Sequence, residues 1–223
     1  MVSQAGSASS TKRISDSTVG RLSLYLRILR EYTGGSTISS EALASAAGTS
    51  AAQVRKDLSL FGTFGKRGLG YSVPELIGEL RAILGLERQW HVALVGAGRI
   101  GQALFGYQDF RTQGFLIRAV FDADPAKAGQ EWNGTTVRPD SEMERVLRDE
   151  SIDIVIVAVP GAAAQSVVDR VVAAGVRAIL NFAPARIEVP EGVALKNVNM
   201  AVELEGLSYA LAREGSNGRV RAE

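Results

Sequence analysis

The chain has 223 residues, of which 46% are hydrophobic and 22% charged, the composition of an ordinary globular protein. It has one histidine and no cysteine, which excludes disulfides and thiol chemistry, and no apolar run approaches the ~20 residues of a membrane span. The net charge of +1 combines 11 Lys/Arg against 7 Asp/Glu in residues 1–89 with 14 against 17 in residues 90–223, which favours an anionic partner for the first part.

The first 13 residues, MVSQAGSASSTKR, lack the apolar core of a signal peptide. We expect them to form a disordered tail of a cytoplasmic protein. Ser17-Thr18 can cap a helix that extends to about Tyr32 and ends before Gly34-Gly35. Apolar residues three and four positions apart predict its buried face: Val19, Leu22, Leu26 and Leu29.

Two short helices joined by a tight turn follow. The first has Ser39 or Ser40 as its cap and ends at Gly48, where a left-handed residue commonly terminates a helix. Residues 50–53 read Ser-Ala-Ala-Gln, a capping box that opens the second helix, which extends to about Phe61. Two short helices around a glycine-containing turn predict a helix-turn-helix.

The second of these helices has two distinct faces. Its apolar sector consists of Ala51, Val54, Leu58 and Phe61, and small, polar and basic side chains lie opposite or on the flank. This mixture is typical of a recognition helix in the major groove of DNA. The candidate DNA contacts are Ser50, Gln53, Arg55, Lys56 and Ser59.

The segment FGTFGKRGLGY places four glycines around Lys66-Arg67. This pattern predicts a β-hairpin, the wing of a winged helix. Its two cations are expected to lie along phosphates or in a narrow minor groove. A fourth helix from Val73 to Leu84 completes a predicted DNA-binding domain over residues 14–88.

The next part of the chain begins with VALVGAGRIG, a strand at His91–Val95 followed by the glycine motif of a dinucleotide-binding turn. The candidate cofactor contacts in this turn are Gly96, Ala97, Gly98, Arg99, Ile100 and Gly101. A second strand, residues 115–121, ends at Asp122. A carboxylate there accepts hydrogen bonds from ribose hydroxyls and repels a 2′-phosphate, which favours NAD(H) over NADP(H). A Rossmann domain is therefore predicted over residues 89–200.

Apolar residues after the later strands are the candidates to contact the nicotinamide. Strands are expected at Ile152–Val159 and Val176–Asn181, with a doubtful one near Thr135–Val137 and a helix at Gln165–Ala174. Ligands bind beyond the carboxyl ends of such strands, which selects Val159, Pro160, Phe182, Ala183 and Pro184. An apolar pocket accepts the neutral ring of NADH and penalises desolvation of the NAD⁺ cation.

The residue inventory favours a sensor over an enzyme. Hydride transfer needs a nearby group that handles the proton, and neither His91 nor a Tyr-x-x-x-Lys pair supplies one. No catalytic or metal-binding residue is predicted. The alternatives are an NAD-dependent oxidoreductase with an accessory N-terminal domain, or a DNA-binding scaffold whose Rossmann fold has lost its ligand.

Five linked stretches set the chain apart from other dinucleotide-binding proteins. They are SSEALASAAGTSAAQVRKDLSLFGTFGKRGLGY, LGLERQWHVALVGAGRIGQAL, FDADPAK, ILNFAP and VPEGVALKNVNMAVELEGLSYAL. Together they resemble the Rex family of bacterial redox-sensing transcriptional repressors from about Ile14 to Arg213. The resemblance implies an α/β homodimer with winged-helix domains on a palindromic operator, released when NADH, in competition with NAD⁺, binds its Rossmann domains. It also implies a domain-swapped helix at residues 201–214, before a loose tail at 215–223.

The resemblance also implies roles for single residues. An arginine matching Arg21 can pair with an aspartate of the nucleotide domain, and a tyrosine matching Tyr107 takes part in the nucleotide-dependent rearrangement and is a candidate cofactor contact. This chain has Asn199 at the aspartate position and Met200 after it, so the pair with Arg21 is expected to be weaker. Arg138-Pro139-Asp140 replaces the His-Ile-Asp frequent in the family.

Overall fold

The computed structural model describes residues 14–65 and 69–219, with side chains as far as Arg213. The chain divides into two compact units, and the division falls between Arg88 and Gln89. Within the described ranges, no helix combines the length and the apolarity that a membrane crossing requires.

The described part of the N-terminal unit has four helices and two short strands. These are α1 (Asp16–Glu31), β1 (Thr37–Ile38), α2 (Ser40–Ala46), α3 (Ala51–Ser59), β2 (Tyr71–Ser72) and α4 (Val73–Ile83). Serine side chains cap α1, α2 and α3, because Ser15, Ser39 and Ser50 each accept the backbone N–H three residues on. The helix α1 therefore begins earlier than the cap expected at Ser17-Thr18.

The buried face of α1 has the expected spacing, but one of its expected residues is exposed and another residue is buried in its place. Leu22, Leu26 and Leu29 are buried, whereas Val19 is 42% exposed and Tyr25 is fully buried instead. The positions of Leu22, Tyr25, Leu26 and Leu29 still recur at three and four residues, so the helical period is kept. The stripe is rotated toward Tyr25, whose hydroxyl has a buried partner on α3.

The strand pairing near the wing differs from the expected hairpin. Phe61–Gly65 forms no strand, and β2 instead pairs antiparallel with β1, which precedes α2. Gly62 and Gly65 have φ values of +144° and +76°, and such left-handed residues interrupt an extended segment. The expected hairpin tip, Lys66-Arg67, lies outside the described residues.

The C-terminal unit contains a seven-stranded sheet. Its strands are β3 (Trp90–Val95), β4 (Phe115–Asp122), β5 (Glu131–Trp132), β6 (Thr135–Pro139), β7 (Ile154–Val157), β8 (Ala178–Asn181) and β9 (Ala194–Asn197). Its helices are α5 (Arg99–Phe105), α6 (Gln108–Thr112), α7 (Met143–Asp149), α8 (Gly161–Ala173) and α9 (Met200–Arg219).

The strand order is β5-β6-β4-β3-β7-β8-β9, and every neighbouring pair except β5–β6 is parallel. Without β5, the remaining six strands lie in the Rossmann order β6-β4-β3-β7-β8-β9. In this order the chain reverses its direction across the sheet between β3 and β7. The doubtful strand at Thr135–Val137 is present as β6. Sequence reasoning missed β5, β9, α6 and α7, and α8 begins at Gly161 rather than Gln165. The helix α9 continues to Arg219, so the loose tail expected at 215–223 is helical over its described residues.

Candidate functional site

Two glycines of the glycine motif, one in the turn after β3 and one in α5, cannot carry a side chain. Gly96 has φ +106°, and a Cβ on it would collide with the backbone oxygen of Ala158. A Cβ on Gly101 would collide with the backbone oxygen of Gly96. Gly98 differs, because a Cβ on it would meet no atom within 4 Å. The motif is thus closely packed at Gly96 and Gly101 and open at Gly98, the arrangement in which a pyrophosphate approaches the backbone.

Asp122 ends β4 beside this turn. Its carboxylate accepts hydrogen bonds from the backbone N–H groups of Ala97 at 2.7 Å and Asp124 at 2.8 Å, and from the Lys127 ammonium at 3.0 Å. Burial raises the pKa of Asp122, but these donors together outweigh it and hold the pKa below its ordinary value. The side chain is therefore a carboxylate at neutral pH. Sequence reasoning missed Lys127, whose contact depends on the path of the turn after β4.

Two adjoining loops carry the apolar candidates. Val159 and Phe182 are half-buried, Ala183 is buried, and Pro160 and Pro184 are exposed. The first loop follows β7 and the second follows β8. They meet at Gly161, where a Cβ would lie 3.1 Å from the backbone oxygen of Pro184. The two apolar segments are therefore neighbours.

Asn181, which sequence reasoning missed, holds the second loop in place. Its side chain is buried; Oδ1 accepts the N–H of Ala183 at 2.9 Å and Nδ2 donates to the Ala183 oxygen at 3.2 Å. Nδ2 also donates to Oδ1 of Asn197 at 2.9 Å, at the end of β9. The available signal was an asparagine at a strand end, since Asn side chains commonly bond the backbone two residues on.

The sheet brings these groups to one edge. Asp122, the glycine turn and the two apolar loops follow the carboxyl ends of β4, β3, β7 and β8, which are consecutive in the sheet. Arg99 and Ile100 are exposed in the first turn of α5, beside the same edge. Ligands of Rossmann folds bind beyond this edge, where the strand order reverses.

Tyr107 is not brought to that edge. Its hydroxyl donates to Asp109 at 3.1 Å, and its ring lies edge-on to Phe110 with centroids 5.0 Å apart. Tyr107 and Phe110 line a cavity of about 730 Å³ with Phe115. Phe115 begins β4 and Asp122 ends it, so the cavity lies at the opposite edge of the sheet.

A buried carboxylate joins α1 to α3 in the N-terminal unit. Asp57 accepts two hydrogen bonds from the guanidinium of Arg21, at 2.6 and 2.7 Å, one from the Tyr25 hydroxyl at 3.0 Å and one from the Gln53 amide at 2.8 Å. Burial raises the pKa of Asp57, but the hydrogen bonds outweigh it and the pKa is lowered. Burial, followed by the hydrogen bond to Asp57, raises the pKa of Tyr25 to about 12. Sequence reasoning missed Asp57, for which the Gln53–Asp57 spacing of four residues was the only local signal.

Two basic candidates on α3 have different surroundings. Arg55 donates to the Ser40 hydroxyl at 2.8 Å and forms an ion pair with Glu41 at 3.1 Å, both on α2. The Lys56 side chain is exposed. Arg55 thus ties the two helices of the helix-turn-helix together, and Lys56 projects from the polar face of α3.

The remaining candidates for DNA contact are serines and wing cations. Ser50 caps α3 by accepting the N–H of Gln53 at 3.1 Å. The Ser59 hydroxyl donates to the backbone oxygen of Lys56 at 2.8 Å. Lys66 and Arg67 lie outside the described residues, so their contribution stays a prediction.

Asn199 precedes α9, where its Oδ1 accepts the N–H of Ala201 at 3.0 Å. Met200, the first residue of the helix, is 60% exposed. Asn199 therefore has a local role at the start of α9, while Arg21 has a bidentate acidic partner in its own unit.

The segment Arg138-Pro139-Asp140 is held by two ion pairs. Arg138 contacts Glu150 at 2.9 Å, and Asp140 accepts a hydrogen bond from Arg170 at 2.9 Å. Arg170 also contacts Glu144, so the segment links the end of β6 to α7 and α8. Its charged residues thus join secondary-structure elements within the unit.

The fold and the site together define a class of regulatory protein, in which a helix-turn-helix unit is followed by a dinucleotide-binding unit. Two family models match the chain, "Putative DNA-binding protein N-terminus" at residues 13–59 and "CoA binding domain" at residues 87–185. The redox-sensing transcriptional repressor Rex of Roseiflexus sp. (strain RS-1) is 44% identical over 206 residues, which cover 92% of this chain and 94% of the relative. The chain belongs to the Rex family.

Other relatives match over nearly the same length. The Rex repressor of Streptomyces coelicolor is 44% identical over 91% of this chain and 79% of the relative. The crystal structure of RSP, a Rex-family repressor, in complex with β-NAD⁺ and operator DNA is 36% identical with a TM-score of 0.88, covering 95% of this chain and 99% of RSP. The crystal structure of RSP in complex with β-NADH is 34% identical with a TM-score of 0.85, and the match covers 94% of this chain and 99% of RSP.

Proposed function

We propose that this protein is a redox-sensing transcriptional repressor that binds operator DNA as a homodimer and leaves it when NADH, in competition with NAD⁺, binds its Rossmann domains. The observation that carries this proposal is the likeness to Rex repressors over both units, at 44% identity across 92% of the chain. An isolated nucleotide fold or an isolated DNA-binding module would account for only one of them. A cytoplasmic location is part of the proposal.

The cofactor proposal assigns each half of the dinucleotide to part of the sheet edge. The open backbone at Gly98 suits the pyrophosphate, and the Asp122 carboxylate suits ribose hydroxyls. Both groups occur in NADH and in NAD⁺, so neither residue distinguishes the two forms. The apolar loops at Val159-Pro160 and Phe182–Pro184 then carry the discrimination, because an apolar wall penalises the cationic ring.

A sensor is favoured over an oxidoreductase by the position of the only histidine in the sequence. His91 lies near the amino end of β3, and its backbone N–H donates to Asp153 at 2.9 Å. The glycine turn follows the other end of the same strand, so this imidazole lies at the far edge of the sheet from the proposed nicotinamide contacts. Proton transfer needs a group within hydrogen-bond reach of the reacting atoms.

The homodimer proposal is supported by the surface of α9. Its large apolar side chains are more than half exposed within this chain: Met200, Val202, Leu204, Leu207, Tyr209 and Leu211. Met200, Leu204, Leu207 and Leu211 recur at three and four residues and therefore share one side of the helix. An exposed apolar stripe of this kind is typical of a protein interface. We propose that α9, over residues 201–214, packs against the partner subunit in a domain-swapped arrangement.

The DNA proposal places α3 in the major groove and the basic segment around Lys66-Arg67 against the DNA backbone. The residues proposed for this contact are Ser50, Gln53, Arg55, Lys56, Ser59, Lys66 and Arg67. The proposed domains are a winged helix over 14–88 and a Rossmann domain over 89–200, after a tail at 1–13. The tail expected at 215–223 is not proposed, because α9 continues as a helix to Arg219. Of the described candidates, the exposed Lys56 side chain best supports this placement.

A nucleotide-dependent gel shift tests the proposal. The probe is a duplex that the purified protein selects from a random library. We expect NADH to abolish the shift at concentrations where equal NAD⁺ leaves it largely intact. Equal effects of the two nucleotides would contradict the sensor, and consumption of NADH or NAD⁺ at 340 nm with small oxo, hydroxy or amino acids would favour the oxidoreductase.

A further inference from the structure

The recognition helix α3 carries a carboxylate that is almost completely buried. Asp57 is 1% exposed, although it lies one residue after Lys56 on a helix whose other face is exposed. Burial of a carboxylate is unfavourable unless the group is paired and its oxygens are hydrogen-bonded. The hydrogen-bond donors around Asp57 must therefore compensate for the burial of its charge.

Each oxygen of the carboxylate has two donors. Oδ2 accepts the Nε–H of Arg21 at 2.6 Å and the Tyr25 hydroxyl at 3.0 Å, both from α1. Oδ1 accepts Nη2 of Arg21 at 2.7 Å and Nε2 of Gln53 at 2.8 Å. The carboxylate thus fixes α3 to α1 through Arg21 and, through its second oxygen, also holds a side chain of α3 itself.

This contact fixes the orientation of the oxygen and the nitrogen of the Gln53 side-chain amide. An ionised carboxylate only accepts hydrogen bonds, so Gln53 must turn its NH₂ group toward Asp57. One N–H of that group is used by Oδ1, which leaves the carbonyl oxygen and the second N–H of the amide for another partner. An acceptor and an adjacent donor are the pair that a glutamine presents to N6 and N7 of adenine.

We propose that Asp57 is a positioning residue for base recognition, which orients the Gln53 amide toward a base edge while it joins α3 to α1. The proposal rests on the proposed function, because it requires α3 to enter the major groove. Arg21 supports this function within the N-terminal unit, because its guanidinium group binds both oxygens of the carboxylate that orients Gln53.

The test compares base discrimination by the wild type, Asp57→Asn, Gln53→Ala and the double variant. Each is titrated against the duplex that the wild type selects from a random library, and against every single base-pair variant of that duplex. Asparagine keeps the shape of Asp57 but removes the charge and one of the two acceptor oxygens. The remaining oxygen can face either Gln53 or the Nε–H of Arg21, so the orientation of Gln53 is no longer fixed. The Gln53→Ala variant identifies the base pair that Gln53 recognises, because its preference there is lost. At that base pair we expect the wild type to prefer one base by about 10- to 100-fold, and we expect this preference to fall below ~3-fold in Asp57→Asn. The double variant is expected to discriminate no worse than either single variant.

Tyr25→Phe is the matched control. It removes a hydrogen bond from Oδ2 of the same carboxylate and leaves Oδ1 and Gln53 in place. We expect it to keep the wild-type discrimination. Thermal melts followed by circular dichroism show that each variant is folded, and Asp57→Glu, which keeps the charge opposite Arg21 but displaces the oxygens, answers the same question if Asp57→Asn does not fold.

The outcomes separate this inference from the proposed function. A folded Asp57 variant that binds more weakly but keeps the full preference at the Gln53-dependent base pair would show a purely structural Asp57 and overturn the inference. A preference lost equally in Tyr25→Phe would overturn it too. A wild-type protein that selects no duplex would instead overturn the proposed function, and this inference with it.

Discussion

At the scale of single residues, the glycine turn separates two uses of glycine. Gly96 has a left-handed backbone and no room for a Cβ, whereas Gly98 has φ −82°, an ordinary value, and open space beside it. The first glycine is thus required by the fold, and the second leaves space that a ligand can use. Substitution by alanine distinguishes these two roles.

We expect Gly98→Ala to lower NADH affinity at least 10-fold, because its Cβ occupies the space through which a pyrophosphate approaches the backbone. The free protein is expected to keep its thermal stability, since the Cβ meets no atom within 4 Å. Calorimetric titration with NADH and a thermal melt measure the two effects. As the control, Gly96→Ala should destabilise the fold by about 1–3 kcal/mol through backbone strain. Unchanged NADH affinity in Gly98→Ala would contradict the assignment of this turn.

The residues that could be predicted are those whose function follows from local spacing. The glycine turn and Asp122 follow from a motif with a fixed distance to the next strand end. Asp57 and Lys127 could not be predicted, because their roles depend on a partner across 36 residues or on the path of a turn. The pair between Arg21 and the nucleotide domain, which the resemblance implies, stays a prediction, whereas nothing in the sequence indicates the bond of Arg21 to Asp57.

At the scale of secondary-structure elements, the joint between α1 and α3 depends on pH through Asp57. The folded pKa of this carboxyl is below its unfolded value, so the joint contributes stability above the unfolded pKa. That contribution is lost as the pH falls through the folded pKa. The Arg21 guanidinium stays protonated throughout, so the carboxylate is the titrating partner.

We therefore expect wild-type stability to exceed that of Asp57→Asn at pH 7 and the difference to shrink below about pH 4, where the unfolded carboxyl becomes protonated. Urea unfolding of both proteins at pH 7, 5, 4 and 3 measures the difference, in which the other carboxylates cancel. A difference that stays constant over this range would contradict a lowered pKa of Asp57 in the folded state.

The exposed face of α9 gives a second element-scale prediction. Leu204 and Leu211 are 66% and 69% exposed and seven residues apart, hence on one side of the helix. Replacing both with glutamate should convert a dimer to monomers, because charges would be buried without partners at the interface. Light scattering after gel filtration measures the mass. Glu205→Gln, an exposed change on the same helix, is the control and should stay dimeric; a dimeric double-glutamate variant would contradict the interface.

Elements with a clear hydrophobic period or a capping signal were predictable, and short edge elements were not. The spacing in α1, the capping box of α3 and the apolar run at β7 led to elements at those places. The strands β1 and β2 have two residues each, too few to show a period. Their pairing across α2 and α3 replaced the hairpin that the glycine pattern suggested, and β9, an exposed edge strand, has no apolar alternation.

At the scale of the whole molecule, nucleotide binding must change the occupancy of DNA by a large factor. Shifting a population from 99:1 to 1:99 takes about 5.5 kcal/mol of differential binding free energy. Two nucleotide sites in a proposed dimer would each supply roughly 3 kcal/mol. The resemblance implies an aspartate at the position of Asn199, and the neutral amide present there cannot form an ion pair. We therefore expect the nucleotide response of this protein not to use an ion pair at that position.

The central claim is that the ratio of NADH to NAD⁺, and not the total nucleotide, sets DNA occupancy. Fluorescence anisotropy of a labelled duplex selected by the protein tests it directly, with the summed nucleotide concentration held constant while the ratio is varied. We expect anisotropy to fall steeply as the NADH fraction rises. Anisotropy that is independent of the ratio, or that depends only on the summed concentration in a second titration, would contradict the claim.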